Sequence, residues 1–495
     1  MDFLQPVLSG FAFVLHPAHF PFLFIGVAGG IAVGVLPGLT GSVGIILLLP
    51  FLFYVDSSTA LVMMCGMFCG SIYGGSISAI LISTPGTPSA AATVLDGYPM
   101  AQKGQAGRAI GVATIASAAG GIISTFCLMF IAPQLAGFAL QFGPEEYFAL
   151  MVFGLTIIAS VSGKSLTKGL IAGVFGLMIG VVGIDPIVGY ARYSFDIPNL
   201  MTGFPLLPVL IGLFAISQVF VQLEKVHKAG GETPPVLGNL LPTTRELLGL
   251  VKVIIPSSLI GTLIGVIPGT GGAIASFLAY NEAKRFSKHP EKFGTGCIEG
   301  VAAPEAANNG TTGGAMVPLL TLGIPGDVVT AVMLGALMLI GVRPGPLLFK
   351  DTPEIINAVY AGLLMANVLI LLLGFLSVRL FPMIMRVPSA TLFPLVLALC
   401  FIGSFSLSNS TYDMTIALIF GVIGYFMHKH GFPAAPVVLG VILGPIAEDV
   451  LGRALITSYG DWTTLLRSPI ALFFYVISVV SVAYSMRRTP GSAAN

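Results

Sequence analysis

Charge is what this sequence has least of. Its 495 residues include 22 Lys and Arg and 21 Asp and Glu, 9% together, where a soluble globular chain carries about 25%. That scarcity excludes an ordinary soluble protein. The charges gather in short clusters between long neutral windows: from Phe22 to Leu95 the only charged residue is Asp56. Further charge-free windows run 109–144, 147–163, 169–184, 197–223, 253–281, 306–326, 355–378, 387–412, 430–447 and 468–486. Most suit the roughly 17 to 25 residues that an apolar helix needs to cross a bilayer.

Other absences narrow the function. A net charge of +1 offers no basic face for nucleic acid. The five cysteines, Cys65, Cys69, Cys127, Cys297 and Cys400, form no CxxC pair and read as buried thiols, not as metal ligands or disulfides. Polar stretches are too short to house a nucleotide-binding domain, which argues against an ATP-driven pump. No GxSxG, HExxH, Walker loop or paired-carboxylate motif offers an enzyme, and no cofactor is expected. The N-terminus lacks the positive region of a cleaved signal peptide.

What the chain has in abundance is glycine, 62 residues, and proline, 34. Some of these fall in a repeat. GVLPG at 34–38 returns as GVIPG at 265–269, an offset of 231. Thr84-Pro85-Gly86 aligns with Ile324-Pro325-Gly326 at an offset of 240, and FPLLPVLIG at 204–212 with FPAAPVVLG at 432–440. Three matches in the same order point to duplication. The reading is an all-α polytopic membrane protein of about 11–12 spans. Its segments are an N-terminal piece at 1–20, a first repeat at 21–223, a polar linker at 224–252, a second repeat at 253–451, and an extra helix with tail at 452–495.

Loop charges bear on orientation, because Lys and Arg favour the cytoplasmic side. Lys164 and Lys168 lie opposite Asp413, Glu145 and Glu146 opposite Arg379 and Arg386, and Asp56 opposite Lys284, Arg285, Lys288 and Lys292. Opposite signs at matching loops point to inverted-topology repeats. The scheme closes only if 21–55 and 253–281 are broken or re-entrant hairpins, with Pro37, Gly38, Pro268 and Gly269 as hinges.

Within hydrocarbon a broken helix must be buried in protein or line a wet cavity. Transporters with inverted repeats place substrate and ions at such breaks, on half-helix N-termini and unwound carbonyls. A carboxylate site is therefore expected from Ser83, Thr84, Pro85, Gly86, Thr87 and nearby Ser89 on one side. Asn308, Asn309, Gly310, Thr311, Thr312, Gly323, Pro325 and Gly326 would supply the other. A Na+ site is expected near Gly38, Thr40, Gly269, Thr270, Asn309 and Thr312. The plainer reading is that glycines allow close helix packing and that Asn and Thr cap helices. Glu299 and Glu305 either carry a coupling proton or complete a cation site, or lie in an interfacial loop. Asp327 reads as a first-turn acidic residue or an ion ligand. Lys103, Arg108 and Arg343 read as loop charges or anion attractors.

The segments GVLPGLTG, YGGSISAILISTPGTPSAAATVLDGYPMAQKGQAGRA, GVIPGTGGAIASFLAYNEAKRFSK and PEAANNGTTGGAMVPLLTLGIPGDVVTAVMLGALMLIGVRPGP resemble the large membrane subunit of the tripartite tricarboxylate transporters, the TctA type. The resemblance spans nearly the whole chain. It implies a multi-pass secondary transporter of the bacterial inner membrane, with a small four-helix membrane subunit and a periplasmic solute-binding receptor as partners. The cargo it implies is a carboxylate, a tricarboxylate such as citrate or a related organic acid, carried in symport with Na+ or H+. The competing class is an ion or solute channel, which also uses broken helices. Gradient-driven accumulation separates the two.

Overall fold

The computed structural model describes the chain except residues 1–3, 37, 162–164, 186, 188, 226–241, 377–388 and 489–495. Pro37, Lys164, Arg379, Arg386 and most of the linker thus lie outside the described residues. Among the described residues the regular structure is helical apart from one two-residue antiparallel pair, Gly183–Ile184 with Ala191–Arg192. In chain order the principal helices are α1 (Leu4–Val14), α2 (Phe20–Val35), α3 (Gly41–Leu52), α4 (Ser57–Ile82), α5 (Val94–Gln102), α6 (Ala106–Ala139), α7 (Pro144–Val161), α8 (Leu166–Gly180) and α9 (Leu206–Glu224). Then follow α10 (Thr244–Val266), α11 (Gly271–Phe286), α12 (Glu299–Leu322), α13 (Val328–Leu339), α14 (Pro353–Leu376), α15 (Ser389–Ser408), α16 (Thr411–Lys429), α17 (Ala434–Thr457) and α18 (Pro469–Arg488). Among the described residues six helices, α4, α6, α9, α10, α14 and α17, are long and apolar enough to cross a membrane, and several shorter ones are apolar.

Two compact units result. The first comprises 1–136 and 222–395, the second 137–221 and 396–495. In the first unit α4 and α12 are its innermost helices, with every residue from Thr59 to Leu81 and from Gly300 to Thr321 buried. Helices apolar or small all round belong in an interior. Glycine makes the burial tight. A side chain at Gly30 would stand 2.6 Å from the Met67 carbonyl of α4, and one at Gly310 2.8 Å from the Ser258 carbonyl of α10. Gly34, Gly70, Gly74, Gly261 and Gly314 make the same close approaches, so α2 lies on α4 and α10 on α12 backbone to backbone. The outward face of α10 is different: Leu248, Val251, Ile255, Leu259 and Leu263 form an exposed apolar stripe at helical spacing, suited to lipid.

The second unit packs α8 on α17, where Gly176 meets the Val437 carbonyl and Gly440 that of Gly173. Its matched FPxxP segments both open helices, with Pro205 and Pro433 as the preceding extended residues. Arg192 forks onto the Glu448 carboxylate and lies 3.3 Å from Asp185, pinning the two-stranded turn to α17.

Candidate functional site

The first unit contains two similar series of breaks. α2 stops at Val35 and α3 restarts at Gly41; α10 stops at Val266 and α11 restarts at Gly271. Gly38 and Gly269 turn the chain with φ of 88° and 82°, a region L side chains rarely adopt. The long buried helices end alike: α4 at Ser83 with φ 56°, α12 at Gly323 with φ 67°. Each second break folds back on the first break of its own series. The Gly86 Cα lies against the Gly34 carbonyl, and the Gly269 N–H donates to the Gly326 carbonyl at 2.7 Å. Pro268, Gly323, Pro325 and Gly326 are buried; Pro85 is partly covered.

The expected hydroxyls divide. Ser83 and Thr84 are exposed, and Thr84 bonds only its own Ile82 carbonyl at 3.3 Å. Thr87 is buried and shares a 3.1 Å hydrogen bond with Ser89. Ser89 then reaches the other series. A side chain placed on Gly272, in the first turn of α11, would meet the Asn308 amide oxygen at 2.7 Å, the Ser89 Cβ at 2.9 Å and the Thr311 hydroxyl at 3.4 Å. Gly272 therefore marks a point where 83–89 and 308–312 converge, with the start of α11 between them.

Every amide atom there is unspent. Asn308 and Asn309 are fully buried at the middle of α12, and none of their side-chain nitrogens or oxygens has a hydrogen-bond partner. Leaving a buried polar group unpaired costs about 1–3 kcal/mol, so two adjacent carboxamides in this state stand out in the helix interior. Thr311 and Thr312 donate to the Asn308 and Asn309 carbonyls at 2.6 and 2.7 Å and keep their oxygens as acceptors. Thr312 also meets the Cys69 thiol of α4. The first turn of α11 adds backbone donors: its N–H groups have no intrahelical acceptor, and no side chain caps them. A helix start with free N–H groups attracts anions.

The oxygens expected to hold Na+ are partly committed. Thr40 bonds Ser42 at 2.7 Å, and the Thr270 hydroxyl serves the Ile264 and Ile267 carbonyls at 2.5 and 2.8 Å, closing the broken end of α10. Asp327 caps α13, accepting from the Thr330 N–H at 2.8 Å and its hydroxyl at 2.7 Å. Arg108 pairs with Glu246, and Lys103 donates to the Thr295 carbonyl at 2.6 Å. Among the described residues no three His, Cys, Asp or Glu cluster as a metal site.

Two buried carboxylates stand out. Glu305 lies one turn before Asn309 in α12, inside the helix and not in a loop, bonded to Thr93 and to Ser117 at 3.0 Å. Asp96 in α5 was not among the expected site residues. Its carboxylate accepts from the Gly294, Gly296 and Cys297 N–H groups at 2.7–3.0 Å and from the Tyr280 hydroxyl at 2.9 Å. That clamp fixes the loop leading into α12.

Comparison with known proteins agrees with the fold. The family model described as the tripartite tricarboxylate transporter TctA family matches residues 20–439. An Agrobacterium vitis protein, described as an uncharacterized 52.8 kDa protein in the TAR-I ttuC' 3' region, is 36% identical over 486 residues, 98% of this chain and 97% of that one. A second from the same organism, an uncharacterized protein in the TAR-II ttuC' 3' region, is 38% identical over 226 residues, 46% of this chain and 93% of its own. No solved structure matches the chain. A near-complete family match on a multi-pass helical scaffold is decisive: this chain belongs to the tripartite tricarboxylate transporter TctA family.

Proposed function

We propose that the chain is the large membrane subunit of a receptor-dependent secondary transporter that imports an organic acid by cation symport across a bacterial inner membrane. The observation that carries this reading is the pair of fully buried, unpartnered amides, Asn308 and Asn309, the first of them beside the uncapped start of α11. Amide and helix-turn N–H groups fit a carboxylate, and amide oxygens fit a cation. A cation held nearby lowers the cost of bringing an anion into a low-dielectric site. The family supports a small membrane subunit and a soluble receptor as partners. The two series of breaks are read as inverted repeats, an arrangement that supports alternating access.

The test is uptake of labelled citrate, succinate and benzoate, each in turn, by proteoliposomes holding this chain with its small subunit and receptor. Wild type accumulates at least one acid under an imposed Na+ or pH gradient, and Asn308→Ala and Asn309→Ala each cut the rate at least about tenfold, the effect of roughly 1.4 kcal/mol. Wild-type rates in both variants would remove the amides from the site. Downhill flux without accumulation would turn the reading to a channel.

A further inference from the structure

Glu305 is a carboxyl group without a counter-ion. It is fully buried, and among the described residues no Lys, Arg or His pairs with it. Its partners are hydroxyls from three directions. Thr93, at the entry to α5, donates to one oxygen, and Ser117 of α6 donates to the other at 3.0 Å. Ser76 of α4 also faces the carboxyl. The Ser76 hydroxyl has one proton, and that proton goes to the Tyr73 carbonyl at 2.7 Å.

The charged and tyrosine groups on the neighbouring elements have partners of their own, and the thiols are uncharged neighbours. Tyr73 on α4 shares a 2.7 Å hydrogen bond with Thr114 of α6. Asp96 on α5 is held by its backbone donors and by Tyr280 of α11. Cys69 on α4 meets Thr312, and Cys65 is buried one turn earlier on α4. Cys297 gives its N–H to Asp96. Arg108 of α6 is committed to Glu246 of α10, and Lys103 of α5 to the Thr295 carbonyl. A bare carboxylate here would have two hydroxyl donors for about four lone-pair sites and no positive charge to offset its desolvation.

We propose that Glu305 is an exchangeable proton site, neutral when the pocket is closed, and that it couples movement of the acid to the proton gradient. This rests on the transport reading above. Its place one helical turn from Asn309 fits that role: when the acid enters or leaves, the field at Glu305 changes, and with it the proton's hold. The step balances as one O–H bond broken at Glu305, its proton passing to water on the open side and its electron pair staying on the carboxylate, with a proton rebinding from the other side.

Two measurements test it. In the first, infrared spectra of the full chain in lipid are recorded as pH is raised. The C=O stretch of a neutral carboxylic acid is expected in wild type, absent in Glu305→Gln, and displaced in Ser117→Ala and Thr93→Ala, which keep the carboxyl but remove a donor. Identical spectra in wild type and Glu305→Gln at every pH would overturn the proposal. In the second, the complex in proteoliposomes is loaded with labelled citrate, succinate or benzoate. Glu305→Gln should retain acid-for-acid exchange within about twofold while losing pH-driven accumulation at least tenfold. Accumulation equal to wild type, or wild-type uptake driven by Na+ and indifferent to pH, would refute proton coupling. If wild type moves none of the acids, it is the transport reading that fails, and the infrared result alone decides whether Glu305 holds a proton.

Discussion

The middles of α4 and α12 share one backbone role and differ in chemistry. At the offset of 240, Cys65 stands where α12 has Glu305, and Phe68-Cys69-Gly70-Ser71-Ile72 stands where it has Asn308-Asn309-Gly310-Thr311-Thr312. The glycines are kept, because Gly70 lies against the Val27 carbonyl of α2 just as Gly310 lies against Ser258 of α10. Both segments are fully buried. Phe68 fills space and Cys69 meets the Thr312 hydroxyl, whereas Asn308 and Asn309 leave their polar atoms unmatched. The lesson is that close packing repeats while the unpaired buried amides sit in one copy.

Breaking the shared part should have the largest effect. Gly30→Val and Gly310→Val each force a branched side chain into a backbone carbonyl and should destabilise by about 3 kcal/mol or more. The check is the yield of folded protein and thermal unfolding in detergent, and a well-folded variant would show that the helices can separate cheaply. The unshared part should behave otherwise. Asn309→Leu should abolish uptake yet leave the empty protein as stable or up to about 2 kcal/mol more stable, since an unsatisfied amide is removed. Cys69→Ala should keep most transport and lose about 1–2 kcal/mol, the transfer and cavity cost of a small buried group.

The Asp96 clamp links the two series, since α5 belongs to the first and the 293–297 loop to the second. Asp96→Asn keeps shape and loses the charge that its N–H donors serve. It should cost about 2 kcal/mol, the range for hydrogen bonds to a charged group, and speed amide exchange at Gly294, Gly296 and Cys297. Unchanged exchange would mean that the loop is held by other contacts. The smallest effect is at the caps of the second breaks. Asp327→Ala should lose about 1 kcal/mol in thermal unfolding. Thr87→Ala, at the matching position without a side-chain cap, should lose less.

The sequence displayed the breaks because backbone turns leave a residue signature: Gly38, Gly269 and Gly323 stand at positive φ. It displayed Asn308 and Asn309 because amides are rare between apolar runs. The cage around Glu305 was hidden, since Thr93 and Ser117 are ordinary residues brought to it from 212 and 188 positions away. Asp96 was hidden for the same reason, its donors being backbone N–H groups that any residue carries. The division into compact units was not visible either, as each draws on both halves of the chain and a repeat in sequence says nothing of which helices cluster.

The central claim is that the acid lodges at the second copy, on Asn308, Asn309 and the first turn of α11. A density map of the complex with its receptor and a transported acid tests it most directly. The account predicts a carboxylate within hydrogen-bonding distance of the Asn308 amide and the Gly271–Gly272 N–H groups, with Asn309 contributing to the acid or its cation. An acid resolved elsewhere, with both amides still unpaired, would contradict it.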